Sequence, residues 1–348
     1  EADAARACRQ THVVMLGTDI DAPATRRSPE RVHQGEDAQP PVVHQSDIVG
    51  GATNPRVDET LQTALAESQG PDGMRTSALL LVPERAGTQK RVVAARYNAR
   101  GWQGELASRA LKGNTVDTGS APWGRQANGE PHTTATLLDD KSPDARVILT
   151  SQGDGDRLKG TPWRWPDLSQ PQQAQLDLDA RQRPDGLGAQ RVAWLRGARS
   201  DEQSHGGALR DRLSLQADLV GATPWLAPGR PAHAPAPPEP TMIYAAGNGG
   251  MLHAFDAESG AERFAYVPQG VLAQVAALTH PPYTHLPSVA ASPFTVEWRD
   301  GVDARRWLIG MLGAGGRGYF ALDVSDLSAF ADEAQGAGQV RLDHTASN

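Results

Sequence analysis

Cysteine, lysine and long apolar runs are nearly missing from this sequence. The single cysteine, Cys8, excludes an internal disulfide and any zinc site built on cysteine pairs. No stretch approaches the ~20 consecutive apolar residues that span a bilayer as a helix. Positive charge is also scarce. Lys and Arg number 34 against 41 Asp and Glu, a net charge of −7, which argues against a nucleic-acid partner. Only four residues are lysine (Lys90, Lys112, Lys141 and Lys159), a bias that with abundant alanine marks a GC-rich genome rather than a function. No charged, apolar, small-residue leader opens the chain, and RLDHTASN ends it as abruptly, so the expectation is a fragment of a longer protein. Its 348 residues suffice for one large or two ordinary domains.

The first third of the chain reads as mixed. THVVMLGTD (11–19) is expected to be a short buried strand entering an acidic turn, and residues 22–47 a loop without period. NPRVDETLQTALAES is the one good helix: Asn54 caps it, Pro55 suits its first turn, and Asp58 and Glu59 favour its positive end. Val57, Leu61, Ala64 and Leu65 fall on one face.

From about Ser77 the texture changes to short apolar runs separated by Gly, Pro, Asn and Asp. SALLLVP, RVVAARYN, ARVILTSQG, MIYAAG, MLHAFDA, RFAYVP, WLIGML and YFALDV are such runs. Many short strands with glycine turns predict an all-β sandwich, barrel or propeller. Several runs lack alternation, as expected where both faces of a sheet are covered, which is the condition of stacked propeller blades. A weak repeat supports the propeller. IYAAGNGGMLHAFDAESG and LIGMLGAGGRGYFALDVSDL share the order strand, glycine turn, strand ending in Asp256 or Asp323. The spacing exceeds one blade of ~40–50 residues, and the segment THPPYTHLPSVAASP is the expected insertion. At that blade size the chain beyond Ser77 suffices for about four to six blades, an incomplete ring. PGRPAHAPAPPEP (Pro228 to Pro240) reads as an extended, solvated spacer.

The glycines of the repeat have a backbone purpose. Asn248-Gly249-Gly250 supplies the positive φ of a tight hairpin, and Asp256 is placed to bond the backbone of the Glu258-Ser259-Gly260 turn. The literal dinucleotide fingerprint GAGGRG (Gly313 to Gly318) runs into strand-like YFALDV, whereas a phosphate site requires a helix there. Among His253, His280 and His285, no third ligand and no helical spacing points to a metal. Asp154 with Asp156, and Asp177 with Asp179, each begin a calcium-loop pattern that the next residues fail to complete, which favours turn-forming roles. No nucleophile elbow is present, and Cys8 has no orienting neighbour in sequence. Trp163 and Trp165 read equally as a binding face or as blade filler.

The run GNGGMLHAFDAESGAERF resembles the repeat of quinoprotein-like β-propellers. Over a longer span, GMLHAFDAESGAERFAYVP, PPYTH and GAGGRGYFALDVSD resemble the PilY family of type IV pilus biogenesis and pilus-tip proteins. RYNARGWQGEL, VAWLRG and LRDRLSLQADLVGATP are similar to further segments of that family, in the same order. The motif positions so marked are Trp102, Gly104, Arg196, Gly197, Arg210, Asp211, Arg212, Asn248, Gly250, Met251, His253, Phe255, Tyr283, His285, Gly313, Gly315, Gly316, Gly318 and Asp323. The resemblance assigns them structural roles, with no catalytic, cofactor or metal residue among them. CRQTHVVMLGTD and the helix near Leu61 are similar, more faintly, to the end of a von Willebrand A-type domain.

The resemblance implies two units: residues 1–70 as that domain's tail, and residues 77–348 as an incomplete propeller. Departures lie at Gly249, Ala198 and SVAASP, where relatives carry Asp or Asp-Gly, and at Gly17 and Ile20, where a TDG is expected. Divergence has therefore removed acidic positions and kept strand formers. The implied function is non-enzymatic: an exported protein of the outer membrane, cell surface or pilus tip of a Gram-negative bacterium. It would support pilus assembly, control extension and retraction, and adhere to host or abiotic surfaces, with minor pilins as partners. The family's calcium loop lies later in the propeller, so no cofactor is expected in this segment. The rivals are a fragment of a quinoprotein-type dehydrogenase and a generic propeller interaction module.

Overall fold

A computed structural model describes residues 13–15, 73–84, 89–113, 115–229, 239–281, 283–300 and 303–346. The helix expected at 54–68, the loop at 22–47, Cys8, Gly17, Ile20 and most of the proline-rich spacer lie outside the described residues.

Among the described residues fifteen strands form three sheets, none closed into a barrel. The first sheet orders β1 (Val13–Met15), β2 (Arg75–Val82), β3 (Arg91–Asn98), β4 (Gln103–Lys112) and β5 (Thr115–Asp117) as an antiparallel meander. The short strand expected near residue 13 is present, pairing Val14 with Leu79. After it come helix α1 (Thr134–Asp139), β6 (Ile148–Gln152), β7 (Lys159–Pro162), α2 (Gln170–Leu176), α3 (Gly188–Arg196) and β8 (Trp225–Ala227). Then follow β9 (Met242–Gly247), β10 (Met251–Asp256), β11 (Glu262–Tyr266) and α4 (Leu272–Leu278). The second sheet has the order β7-β6-β11-β10-β9-β8, in which only β6 and β11 run parallel. The last sheet is the meander β12 (Phe294–Asp300), β13 (Asp303–Met311), β14 (Tyr319–Asp323) and β15 (Val340–Asp343), with α5 (Glu333–Ala337) between its last strands.

Each apolar run named from the sequence is a strand, and β9 and β10 are buried at every position. The reason is stacking on both faces. Met242, Tyr244 and Ala246 join a core shared with Phe320 and Leu322 of the third sheet, whereas Ile243 and Ala245 join one with Leu80, Val93 and Leu106 of the first. A strand buried on both faces needs no polar alternation. The fold is thus all-β and propeller-like.

Two expectations change. Five short α-helices occur among the described residues, where the sequence shows none. They are too short for a periodic stripe, and α3 buries Arg191, Val192, Trp194, Leu195 and Arg196 around most of its circumference, which erases amphipathic contrast. Three sheets, rather than four to six blades, account for the described strands. Residues 163–224 are spent on helices, 3-10 turns and coil laid over the sheets.

The two repeats are equivalent hairpins. Met242 pairs with Asp256 across β9–β10, and Trp307 with Asp323 across β13–β14. The residues between β11 and β12 include α4 as well as the expected loop, which explains the long spacing. At the β9–β10 turn the positive φ falls on Gly250, at +80°, giving a three-residue loop with its last residue left-handed.

Candidate functional site

Several motif residues gather where turns of the first two sheets meet the loops that cover them. Trp102 occupies the β3–β4 turn with φ of +50°, a conformation that non-glycine residues adopt at a cost. Its ring stacks on His285 with centroids 3.6 Å apart. His285 Nε2 lies 2.9 Å from Oδ2 of the buried Asp218, and Asp218 Oδ1 accepts from Asn248 Nδ2 at 2.6 Å. Asn248 Oδ1 in turn accepts from the Ser288 amide. Gly104 lets the 216–218 segment approach: a Cβ there would lie 2.7 Å from the Ala217 carbonyl oxygen, and the Gly104 amide donates to Gln216 O. Trp102, Gly104, Asn248 and His285, the outermost 183 positions apart, thus close around Asp218.

A second group is cationic. Arg196 is buried and spends its terminal nitrogens on Glu333 and on the carbonyls of Trp163, Pro143 and Arg146. Gly197 ends α3 with φ of +126°. Arg212 lies 3.7 Å from the Trp194 ring and donates to Glu202, Trp194 O and Ala198 O. Burial pushes its pKa down to about 10, still cationic at neutral pH. Asp211 turns outward and accepts from the Ser204 amide, which lowers its pKa. Arg210 lies 4.1 Å from the Tyr283 ring and 5.6 Å from that of Trp194, and its Nε donates to Leu278 O. Burial lowers the Arg210 pKa as well.

The third group is interior. His253 Nδ1 lies 2.8 Å from Glu262 Oε1, and Arg146 grips both Glu262 oxygens from Nε and Nη2 at 2.8 and 2.9 Å. Burial alone would raise the Glu262 pKa. The Arg146 charge and the hydrogen bonds from His253 and Arg146 outweigh it and hold the carboxyl below its ordinary range. Met251 places its sulfur 3.9 Å from Arg146 Nη2, and Phe255 stacks beside His253.

The glycine-rich segment is packed, not open. A side chain at Gly315 would run into the Ser288 carbonyl, and one at Gly318 into that of His344. Gly313, with φ of +57°, bridges to Ala290, and Gly316 lies against Ala346 O. The turn leads into β14, so backbone fills the space that a phosphate needs. Asp323 closes the following turn by accepting from Ser325, as Asp256 does from Glu258 and Ser259.

The remaining candidates resolve into local roles. Asp179 accepts from the Arg181 and Arg183 amides, and Asp177 from the Gly188 amide. Asp154 precedes a 3-10 turn, Gly155–Arg157, that contains Asp156. Among the described residues no three His, Cys, Asp or Glu side chains cluster as a metal site would require. Trp163 is fully buried in the largest core, so it is blade filler; Trp165 packs half-buried against the same core. No helix among the described residues is long and apolar enough to cross a membrane.

Two cavities are notable. One of about 330 Å³, lined by Leu178, Ala273, Ala276, Ala277, His280 and Leu286, contains no motif residue other than through its neighbours in sequence. The other, of about 30 Å³, is smaller but lined by Trp102, Arg210, Arg212, Met251 and His253, so five motif residues converge on it. We take the smaller as the candidate site, because residue chemistry rather than volume marks it. Sequence reasoning missed its supports, Glu202, Glu262 and Arg146, since a charged residue in a single sequence reads as surface.

No protein-family profile matches the chain, and no solved structure does. Curated relatives do. The chain is 31% identical over 274 residues to the type IV pilus biogenesis factor PilY1 of Pseudomonas aeruginosa (strain UCBPP-PA14), covering 69% of this chain and 22% of the relative. It is 35% identical over 158 residues to a PilY1 homolog of Xylella fastidiosa, 40% of this chain and 13% of that protein. A second match to a Xylella fastidiosa PilY1 homolog reaches 48% over 89 residues, 25% of this chain and 6% of that protein. The chain thus spans less than a quarter of the length of these relatives. With ordered motifs, a propeller-like fold and these identities in agreement, the chain belongs to the PilY family as a diverged member.

Proposed function

We propose that this chain is a non-enzymatic, exported component of type IV pilus biogenesis, working at the outer membrane, cell surface or pilus tip. In this reading residues 77–348 are one propeller module and residues 1–70 the end of an A-type domain. The module supports pilus assembly and the balance of extension and retraction, contacts minor pilins, and contributes to surface adhesion. The 274-residue match to a pilus biogenesis factor carries this reading. The site supports it: the motif arginines and histidines are engaged with carbonyls and carboxylates of the chain itself. Such groups fix a surface rather than turn over a substrate.

Deleting the coding region in its host and counting surface pili by electron microscopy tests the proposal. Loss of pili, restored by the wild-type gene, is expected; unchanged piliation overturns it. The dehydrogenase rival is tested by reconstitution with pyrroloquinoline quinone and a dye-reduction assay, where no quinone-dependent reduction is expected. Calcium titration by calorimetry is expected to give no micromolar site in this segment.

A further inference from the structure

Arg210 is the unusual member of the cationic group. Its Nε is taken by Leu278 O and its guanidinium lies between Tyr283 and Trp194, yet its two terminal nitrogens meet no acceptor among the described residues. The nearby carboxylates are engaged elsewhere. Glu202 binds Arg212 and Arg199, and Asp211 binds the Ser204 amide. A guanidinium that is stacked, partly desolvated and unpaired is a strong site for a carboxylate, because the planar fork is already held in place.

The surroundings are apolar. Leu213, three residues on, is 69% exposed, the largest value among the big apolar side chains of the described residues. It lies over Gly101 of the β3–β4 turn, whose absent Cβ would come within 2.6 Å of it. Trp102, stacked on His285, lines the same cleft. A free cation beside an exposed leucine and a tryptophan is a pattern of protein recognition, in which Arg and Trp are common anchors.

We infer that this cleft docks a partner's polypeptide segment, seating an Asp or Glu carboxylate on Arg210 and an adjacent bulky apolar side chain on Leu213 and Trp102. The cavity is too small for a whole ligand, which places the carboxylate at the mouth and the rest of the segment across the rim. This inference rests on the proposed function only in assigning the site to a protein partner; its test needs no pilus.

The test uses the full chain, labelled with ¹⁵N, and the short peptides N-acetyl-Leu-Glu-Leu-amide and N-acetyl-Leu-Gln-Leu-amide. The Arg210 Nε–H and tryptophan indole resonances are followed during titration. The acidic peptide should shift them saturably and bind about ten-fold more tightly than the Gln peptide, the usual worth of a charge-assisted pair. Arg210→Gln should abolish that difference, and Arg210→Lys should retain only part of it. Leu213→Ser should weaken both peptides about three-fold or more, the worth of a buried apolar side chain. Because Leu213 is exposed, this variant keeps the test standing if Arg210→Gln does not fold. Equal binding of the two peptides, or no saturable shift, overturns the inference. So does inorganic phosphate binding as tightly as the acidic peptide, which would make the site one for small anions.

Discussion

Arg146 and Glu262, 116 positions apart, form a two-pronged ion pair with side-chain exposures of 2% and 0%. Arg146 also donates to the carbonyls of Leu195 and Arg196, so the pair ties the end of α3 to β11. Glu262→Gln leaves the guanidinium buried without a counter-charge. It is expected to cost about 3–5 kcal/mol, the usual effect of breaking a buried pair. Urea denaturation followed by circular dichroism measures it; a loss below about 1 kcal/mol would contradict the burial argument.

The same pair sets a pH dependence. The folded pKa of Glu262 is depressed relative to an unfolded value near 4.3. Its contribution is therefore complete above the unfolded pKa and is lost as pH falls toward the folded one. Asp185, lowered by its hydrogen bonds from Arg191, acts in the same direction. The urea midpoint is expected to be flat from about pH 7 to 5 and to fall steeply below about pH 4. A midpoint that rises on acidification would reverse the assigned sign.

Asp343 joins the second and third sheets. The Tyr266 hydroxyl and Ser151 Oγ donate to its Oδ2 at 2.7 and 2.8 Å, and the Gln269 amide at 3.0 Å. Asp343→Ala orphans these buried donors and is expected to cost about 3 kcal/mol, against about 1 kcal/mol for Tyr266→Phe. Differential scanning calorimetry of the two variants should show that order.

Glycines divide by what surrounds them. Gly315→Ala would drive a methyl into the Ser288 carbonyl, backbone that cannot swing away, and is expected to cost about 3 kcal/mol or more. Gly129, with φ of +86° and nothing within 4 Å, should lose only about 1–2 kcal/mol on the same change, the cost of its left-handed backbone. Equal melting temperatures for the two variants would refute the packing account of the glycine-rich turn.

Trp163→Ala is expected to cost about 3–5 kcal/mol as a core truncation. Trp165→Ala, at a half-buried position, should cost less. Thermal denaturation that ranked the two the other way would return Trp163 to the role of a surface residue.

The sequence determined the strands of this protein. Runs such as MIYAAG and MLHAFDA lie wholly between other layers, so their apolar character is local and continuous, and Gly250 marks the turn between them because its φ is positive. The equivalence of Asp256 and Asp323 was legible for the same reason: each bonds backbone two residues on, within its own turn. The motif residues were named through resemblance, but not their geometry. Only the tertiary structure decided that Trp102, His285 and Asp218 meet, that Glu262 faces inward to Arg146, and that Arg210 is left open. The physical reason is that a charge carries no local sign of its partner. Its burial is settled by an opposite charge or a carbonyl brought from a hundred positions away, and that closeness exists only once the sheets have stacked.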